Sequence, residues 1–317
     1  MEIKVFEPHE LETALGAIRA VVPRPSAAQD AFLRVLGRLH ARSVEPRELP
    51  APTPAETAAA ITDPHRRKRL VECAIVMTMV DGAVEREAAS SVASLARALG
   101  VDGRTSRTLR RVAARHRLLT RIDMSRRLFG RFVGAALREE GLGGVRRFVG
   151  AMLKVGEDPA TAERFRAMGR LPPGSFGRAY WEHCTSRGFA FPGERGAIPE
   201  RAVFHDFGHV LSGYDTDPAG EIQQAAFQAG FMRNEGFAFL FFGIMQFHLG
   251  IKLTPIAEAE VGFFDVEKVL AALARGASCN ADLSDRWDPR PFLALPLEVV
   301  RERLGVPPLA GGAVRAA

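Results

Sequence analysis

The sequence is poor in cysteine, tryptophan and tyrosine. Its 317 residues include three Cys, two Trp and two Tyr. Cys73, Cys184 and Cys279 stand far apart and form no CxxC pair. This odd number and wide spacing argue against a disulfide framework or a thiolate zinc site, and they fit a reducing compartment.

Secretion signals and long apolar runs are also missing. The N-terminal segment MEIKVFEPHELETALG has no basic stretch followed by an apolar run, so we expect no signal peptide. The most hydrophobic stretch, residues 236–251, has 16 residues, whereas a membrane-spanning helix needs about 20. We therefore expect a buried core helix there. The functional alternative is the wall of an apolar channel or a surface that touches lipid.

The net charge excludes few classes of partner. The chain has 43 Lys and Arg against 37 Asp and Glu, a net charge of +6, which favours phosphate or anionic lipid surfaces only weakly. Its two Arg-rich stretches, residues 66–69 and 104–117, are not interleaved with aromatic residues. No helix-turn-helix, zinc-finger or RNA-recognition signature is present, so nucleic acid is not an expected partner.

Strand patterns are nearly absent, because few segments alternate polar and apolar residues over five or more positions. Apolar residues instead recur at spacings of three and four, as in Leu11, Leu15 and Ile18. The fold class is therefore predicted to be all-α. Further helices are predicted over residues 105–118, 124–139, 143–155 and 160–168.

The length suits about two domains. We predict a helical N-terminal module over residues 1–122, followed by an all-helical metal-binding domain over residues 123–317. Residues 43–65 are rich in Pro and Ala, a composition typical of a linker or a loosely packed arm.

The candidate site begins at the segment HDFGH. His205 and His209 are four residues apart, so on a helix they share one face and their imidazoles can meet at one cation. Gly213 should end this helix. Asp217 and Pro218 then form an N-cap and first helical position, and the new helix carries Glu221 in its first turn. We predict a divalent metal site built from His205, Asp206, His209 and Glu221.

Such a donor set suits zinc, iron or manganese with coordination positions left open. Asp206 and Glu221 are also candidate general bases. Other side chains near this motif have weaker support, because each is equally well explained as a turn, surface or core residue: His183, His248, Asp215, Arg178, Gln224 and Gln228.

Three segments together resemble the ubiquinone (coenzyme Q) biosynthesis protein 4 family. HDFGH, eleven residues and then Glu221 match its HDxxH-x(11)-E signature. LPPGSFGRAYWEH upstream and WDPRPFLALPLEVVRERLGV downstream resemble flanking segments of the family, with Phe176 in place of the usual Leu. The resemblance covers roughly residues 125–308.

The resemblance implies an all-helical fold and one divalent metal ion, zinc or iron, held by His205, Asp206, His209 and Glu221. It implies an apolar cavity for the polyprenyl tail and oxidative decarboxylation of a prenylated benzoate ring, in which a hydroxyl replaces the C1 carboxylate. The implied partners are a prenylated quinone precursor or another isoprenoid lipid, and other ubiquinone biosynthesis proteins; a homodimer is left open. The implied location is cytoplasmic, peripheral to the inner membrane.

The N-terminal part resembles a different helical module. Asp81, Gly82 and Val84 fit the Asp-Gly-x-(Ile/Val) hallmark of the tellurite-resistance B-like module, but Glu87 lies one residue before the position of that module's glutamate. No metal site is therefore predicted there.

Two other functions fit parts of the sequence. One is a non-catalytic lipid-binding scaffold of the ubiquinone biosynthetic complex, in which the metal only joins two helices. The other is an HD-type phosphohydrolase, in which His183 would be the upstream histidine but His209 would have no role.

Overall fold

The computed structural model describes residues 1–101, 103–152, 155–254, 257–285 and 287–309. Those residues form α-helices and short 3-10 helices and contain no β-strand, which confirms the all-α prediction. The α-helices are α1 (Leu11–Ala20), α2 (Ala27–Leu39), α3 (Pro54–Ala60), α4 (Pro64–Met77), α5 (Arg86–Ala98), α6 (Arg104–Ala113), α7 (Arg117–Met152), α8 (Pro159–Arg166), α9 (Phe176–Arg187), α10 (Phe204–Ser212), α11 (Pro218–Phe231), α12 (Gly236–Phe247), α13 (Val266–Ala277) and α14 (Leu297–Arg303). The 3-10 helices are Pro46–Glu48, Ala167–Arg170, Glu200–Ala202 and Arg290–Phe292.

Helix α7 accounts for two of the predicted helices. Gly141 interrupts it with a φ of 65°, a left-handed conformation that glycine adopts without steric cost. The interruption falls between the predicted segments 124–139 and 143–155. In the second of these segments, the helix is described as far as Met152. Residues 153 and 154 lie outside the described part of the chain, which resumes at residue 155.

Residues 43–65 are mostly exposed, as predicted for a loosely packed arm, but they are not a linker, because α3 lies within them and packs on neighbouring helices. Thr53 caps α3, and its side chain exchanges hydrogen bonds with Glu56 in a capping box. Thr57 and Ile61 are fully buried, and α3 packs against α1 and α5. Pro54 occupies the first position of this capped helix, where Pro is favourable, and four Ala residues follow within it.

Helix α11 lies at the centre of the C-terminal part, between α12 and α13. Its approach to α13 is close because Gly276 has no side chain: a Cβ atom there would lie 1.9 Å from the backbone oxygen of Phe227. On the α11 side, a Cβ at Gly230 would lie 2.5 Å from the backbone oxygen of Leu273. This glycine contact fixes α11, which carries Glu221 and Gln228.

The N-terminal and C-terminal parts share one hydrophobic core. Helix α2 packs against α13, and Arg38 forms an ion pair with Glu267 across that contact. The imidazole of His248 is buried and donates from Nε2 to the carbonyl oxygens of Met79 and Val80, at 3.1 and 3.0 Å. The predicted boundary at residue 122 remains a prediction.

His248 makes the stability of the protein sensitive to acid. Its Nδ1 accepts a hydrogen bond from the backbone N–H of Phe264 at 3.2 Å, and burial lowers its pKa below the usual 6.5, against the opposing effect of the Val80 and Met79 carbonyls. As the pH falls below about 6.5, the unfolded chain takes up a proton at His248 that the folded protein does not. Stability from this group is therefore complete above that pH and is lost as the pH falls towards the folded pKa.

We expect His248→Gln to reduce this acid sensitivity. Glutamine does not titrate, so the difference in the free energy of unfolding between the native protein and the variant should narrow from pH 7 to pH 5. Urea titrations at several pH values measure it. His9→Gln provides the control, because it removes an imidazole that is exposed and not buried among packed helices. A difference in the free energy of unfolding that stays constant between pH 7 and pH 5 would contradict the expectation.

Candidate metal centre

Helices α10 and α11 bring the predicted ligands together. Helix α10 ends at Gly213, which has a φ of 76°, as predicted from the sequence. Asp217 then caps α11, its Oδ1 accepting from the backbone N–H of Gly220 at 2.6 Å, and Pro218 occupies the first helical position. The short connection lays the first turns of α11 against α10.

His205, His209 and Glu221 converge. The two Nε2 atoms of the histidines lie 3.3 Å apart. Glu221 faces both rings, with Oε2 at 3.4 Å from Nε2 of His205 and Oε1 at 3.5 Å from Nε2 of His209. One ligand atom from each residue lies within 4.8 Å of the other two. This triad could hold a metal ion.

Hydrogen bonds at the outer ring nitrogens fix how both imidazoles point. Nδ1 of His205 donates to Oε1 of Gln228, and Nδ1 of His209 donates to the backbone oxygen of Tyr214, each at 3.0 Å. The neutral rings therefore carry their hydrogens on Nδ1 and turn the lone pairs of Nε2 towards each other. Two lone pairs at 3.3 Å repel unless a cation lies between them.

The spacing fits a small divalent cation. Two nitrogens bound tetrahedrally at about 2.0–2.1 Å from zinc lie about 3.3–3.4 Å apart, close to the observed 3.3 Å between the Nε2 atoms. The outer hydrogen bonds to Gln228 and Tyr214 are the kind that orient metal-bound histidines. The residues present therefore fit a bound metal.

The charges of the triad depend on one another. Burial lowers the pKa of His205, but the nearby Glu221 carboxylate and then Asp206 raise it by more, to about 9. Burial raises the pKa of Glu221, but the hydrogen bonds and charges of His205 and His209 hold it far below the usual range. Glu221 is thus an anion, and without a metal a proton on His205 compensates it.

Asp206 lies outside this group. Its carboxylate is not among the ligand atoms that converge, although it was predicted as a fourth ligand and as a candidate base. Burial raises its pKa, and its charge acts on Tyr180 and Cys184 of α9. Neighbouring residues of a helix point in different directions, which separates Asp206 from His205. Its part in metal binding or catalysis stays a prediction.

His183 of α9 lies beside the triad. Its ring stacks on that of His209 with 5.7 Å between the ring centroids, and its Nε2 is buried without a hydrogen-bond partner. Burial lowers the pKa of His183 to about 3, helped by the charges of His209 and Arg187. His183 is therefore neutral and supports the ring of His209.

The remaining sequence candidates do not reach the triad. Asp215 is exposed and binds Arg187 at 2.9 Å, as a turn residue would. Arg178 stacks on Trp181, donates to the backbone oxygen of Gly169 and pairs with Glu182 at 2.7 Å. His248 is used in the hydrogen bonds to the Met79 and Val80 carbonyls described above.

Gln224 and Gln228 both support the site from the buried side of α11. Gln228 orients His205, and Gln224 donates to the backbone oxygen of His205 at 3.2 Å and accepts from Ser212 at 2.9 Å. A Cβ at Gly208 would lie 2.0 Å from Nε2 of Gln224, so a larger residue there would displace this amide from its hydrogen bonds. Sequence spacing predicts a role for these two glutamines but not for Tyr214. Tyr214 acts through its backbone oxygen, which every residue type has, so its identity in the sequence does not indicate this role.

An apolar cavity of about 170 Å³ adjoins the triad. His205, Glu221 and Gln228 form part of its wall, and phenylalanines form much of the rest. A cavity of roughly 150 Å³ accommodates a benzene molecule, so this one is large enough for a single ring. The phenylalanines are Phe132 from α7, Phe204 from α10, and Phe239, Phe242 and Phe247 from α12.

The sequence matches none of the protein-family models and none of the curated proteins with which it was compared. The resemblance to the coenzyme Q biosynthesis protein 4 family therefore stays a prediction that depends on its three sequence segments.

Proposed function

We propose that the protein is a metal-dependent enzyme of ubiquinone biosynthesis that acts on a prenylated benzoate ring. The observation that carries the proposal is the position of the triad: His205 and Glu221 belong both to the ligand cluster and to the wall of an apolar, ring-sized cavity. An aromatic ring in that cavity would lie beside a metal bound to the triad. The resemblance supplies the reaction class and the substrate.

The reaction proposed is oxidative decarboxylation at C1. The bond from the ring to its carboxylate breaks and carbon dioxide leaves, while C1 bonds to the oxygen atom of a water molecule. The two electrons and two protons released pass to dioxygen, the oxidant that we propose, which becomes hydrogen peroxide. Zinc or iron bound to the triad would supply a Lewis acid for the ring carboxylate or phenolate, and iron would add redox chemistry.

The chain's own residues would bind the metal, orient the two imidazoles and hold the substrate ring. His205, His209 and Glu221 would hold the metal, and Gln228 and the Tyr214 carbonyl fix the tautomers of the two rings. The cavity phenylalanines hold the ring and exclude water, which strengthens every charge interaction at the triad. Glu221 lines the cavity and Asp206 does not, so Glu221 is the carboxylate that would meet the substrate.

Membrane contact is part of the proposal, and α7 supports it. None of the helices in the described residues combines the length and apolar character needed to cross a bilayer. Large apolar side chains are nevertheless exposed along α7, with exposed Arg121, Arg126, Arg138 and Arg146 between them. Apolar residues among arginines suit the surface of an anionic membrane. The exposed apolar residues are Leu118, Leu119, Ile122, Leu137, Leu142 and Val149.

We expect Leu142→Glu to weaken membrane binding. Leu142 is 81% exposed, and burying a leucine side chain contributes about 1.5–3 kcal/mol. Binding to vesicles that contain phosphatidylglycerol should therefore fall about tenfold or more, measured by co-sedimentation. Val261, 67% exposed and outside α7, gives the matched control Val261→Glu. Equal losses in both variants would argue against α7 as the membrane-facing surface.

Filling the cavity tests the enzymatic proposal directly. Ala202 lines the cavity from the 3-10 helix before α10, and Ala202→Phe places a ring where the substrate ring should bind. We expect kcat/KM for a prenylated 4-hydroxybenzoate derivative to fall about tenfold or more, the equivalent of about 1.4 kcal/mol. Metal content should not change, because no ligand is touched.

Ala98, an exposed residue near the end of α5, gives the control Ala98→Phe, which should keep full activity. Mass spectrometry of the product and metal analysis of the purified protein are the measurements. An Ala202→Phe enzyme that is fully folded, metal-loaded and as active as the native protein would contradict the placement of the ring.

A further inference from the structure

The C-terminal end of α10 is held by side chains from two other helices. Helix α10 has nine residues, and an isolated helix of that length is marginal in water. The carbonyl oxygen of His209 accepts from the backbone N–H of Gly213 at 2.7 Å, which ends the helix. The carbonyl oxygens of the next three residues, Val210, Leu211 and Ser212, have no partner within the helix and need donors from elsewhere.

Two arginines supply these donors. Arg301 of α14 donates from Nε to the carbonyl oxygen of Leu211 at 2.9 Å and from Nη2 to that of Val210 at 3.0 Å. Arg275 of α13 donates from Nη1 to the carbonyl oxygen of Ser212 at 2.7 Å. Each of the three carbonyl groups is thus bonded to a guanidinium group, an arrangement that stabilises the end of a helix.

Arg275 also contacts the turn that orients the imidazole of His209. Its guanidinium group lies over the ring of Tyr214, with 5.4 Å between Cζ and the ring centroid. The backbone oxygen of Tyr214 accepts the hydrogen bond from Nδ1 of His209, and its backbone N–H donates to Oγ of Ser212 at 3.2 Å. Arg275 therefore holds both ends of the segment 212–214, on which the direction of the His209 ring depends.

The burial of Arg275 is unfavourable unless the charge is used in these contacts. Only 9% of the residue is exposed, and it forms no ion pair with a carboxylate among the described residues. Its Nε donates to another carbonyl oxygen, that of Pro307, at 2.6 Å. A buried cation without a counter-ion is costly, and the partial negative charge at the end of α10 offsets part of that cost. Arg301 differs, because Glu298 lies 2.5 Å from it.

A guanidinium group suits this task better than an ammonium group would. It presents its donors in a fixed planar fork, so one side chain can bond to two acceptors at once. Arg301 does so with consecutive carbonyls of α10, and Arg275 with a carbonyl of α10 and one that follows α14. Helix α13, which carries Arg275, also packs closely on α11 through Gly276. The ligands on α10 are thereby fixed relative to Glu221 on α11.

We propose that Arg275 and Arg301 are positioning residues of the metal centre. They hold the C-terminal end of α10 so that the Nε2 lone pair of His209 stays directed at the bound cation. Neither arginine belongs to the ligand cluster or lines the apolar cavity, so both act through the backbone that they bind. Their role rests on the metal centre of the proposed function but is independent of the reaction proposed there.

Titration of the full-length protein with cobalt(II) tests this role, because the visible absorption of bound cobalt depends on its coordination geometry. We expect Arg275→Met and Arg301→Met each to weaken cobalt binding about tenfold and to change the absorption bands of the bound ion. Circular dichroism and urea titration measure the fold and stability of each variant. The side chain of Arg301 is 23% exposed, so Arg301→Met decides the question if Arg275→Met does not fold.

Arg67→Met provides the matched control. Arg67 also donates to backbone carbonyl oxygens, including those of Ile61 and Ala58 at 2.6 and 2.7 Å. It belongs to α4, however, which carries none of the triad residues. We expect Arg67→Met to lower the free energy of unfolding but to keep the native cobalt affinity and absorption spectrum.

The possible results separate positioning from general stability. If Arg275→Met and Arg301→Met lose stability but bind cobalt with native affinity and spectrum, their role is purely structural and the proposal is overturned. It is also overturned if Arg67→Met weakens cobalt binding equally, or if the native protein binds no cobalt, in which case the metal centre fails as well. A native protein that binds cobalt, with the expected losses in both variants, but does not convert a prenylated benzoate would support the positioning role and overturn the proposed reaction alone.

Discussion

His209→Ala should remove metal and activity together. His209 has the most buried of the three triad side chains, and its Nε2 lies 3.3 Å from that of His205 and 3.5 Å from Glu221. Without it, two ligands remain, and we expect metal affinity to fall at least a hundredfold, as measured by competition with a chromophoric chelator. Turnover of the prenylated benzoate should fall about a thousandfold, or roughly 4 kcal/mol of transition-state stabilisation.

The exposed His9 gives the matched control, since His9→Ala removes an imidazole far from α10 in sequence and should change neither metal affinity nor turnover.

Glu221→Gln distinguishes the enzymatic function from the non-catalytic scaffold function. It keeps the shape of the side chain but removes the charge opposite His205 and His209. A Glu221→Gln protein that folds and still supports ubiquinone production would favour the non-catalytic scaffold over the enzyme.

Gly276→Leu should strongly destabilise the fold. A Cβ at this position would lie 1.9 Å from the backbone oxygen of Phe227, so α13 would have to move away from α11. Overpacking typically costs about 1–3 kcal/mol and occasionally more, and a clash with a backbone atom favours the upper end of that range, about 3 kcal/mol. We expect a loss of that size in the free energy of unfolding, measured by urea titration, and weaker metal binding because α11 carries Glu221.

Gly130 of α7 provides the comparison, since a Cβ there meets no atom within 4 Å. Gly130→Leu should keep or slightly raise the unfolding midpoint, because leucine favours helix more than glycine does. If Gly276→Leu unfolded at the same denaturant concentration as Gly130→Leu, the close contact of α11 with α13 would be wrong.

The helices of the candidate site were predictable because their signals are local. Gly213 ends α10 through its left-handed conformation, and Asp217 and Pro218 start α11 through a cap and a fixed φ. The spacing of four between His205 and His209 then determines a shared face. These features depend only on neighbours in the sequence, so they could be inferred without knowledge of the packing.

Features that depend on packing between distant segments could not be inferred in this way. The Tyr214 oxygen that orients His209 belongs to the backbone, and the cavity combines Phe132 of α7 with phenylalanines of α10 and α12. The packing of α3 within residues 43–65 could not be inferred, because composition does not reveal that Thr57 and Ile61 are buried. The position of Asp206 outside the triad follows from helix geometry, but the family signature groups it with the ligands.

The contact of α2 with α13 and the hydrogen bonds of His248 have a practical consequence for truncation. A shortened chain starting near residue 123 would lose Met79 and Val80 and leave the buried N–H of His248 without acceptors. The side of α13 that α2 covers would become exposed to solvent. Self-association in solution, rather than damaged chemistry, would then be the first defect of such a fragment.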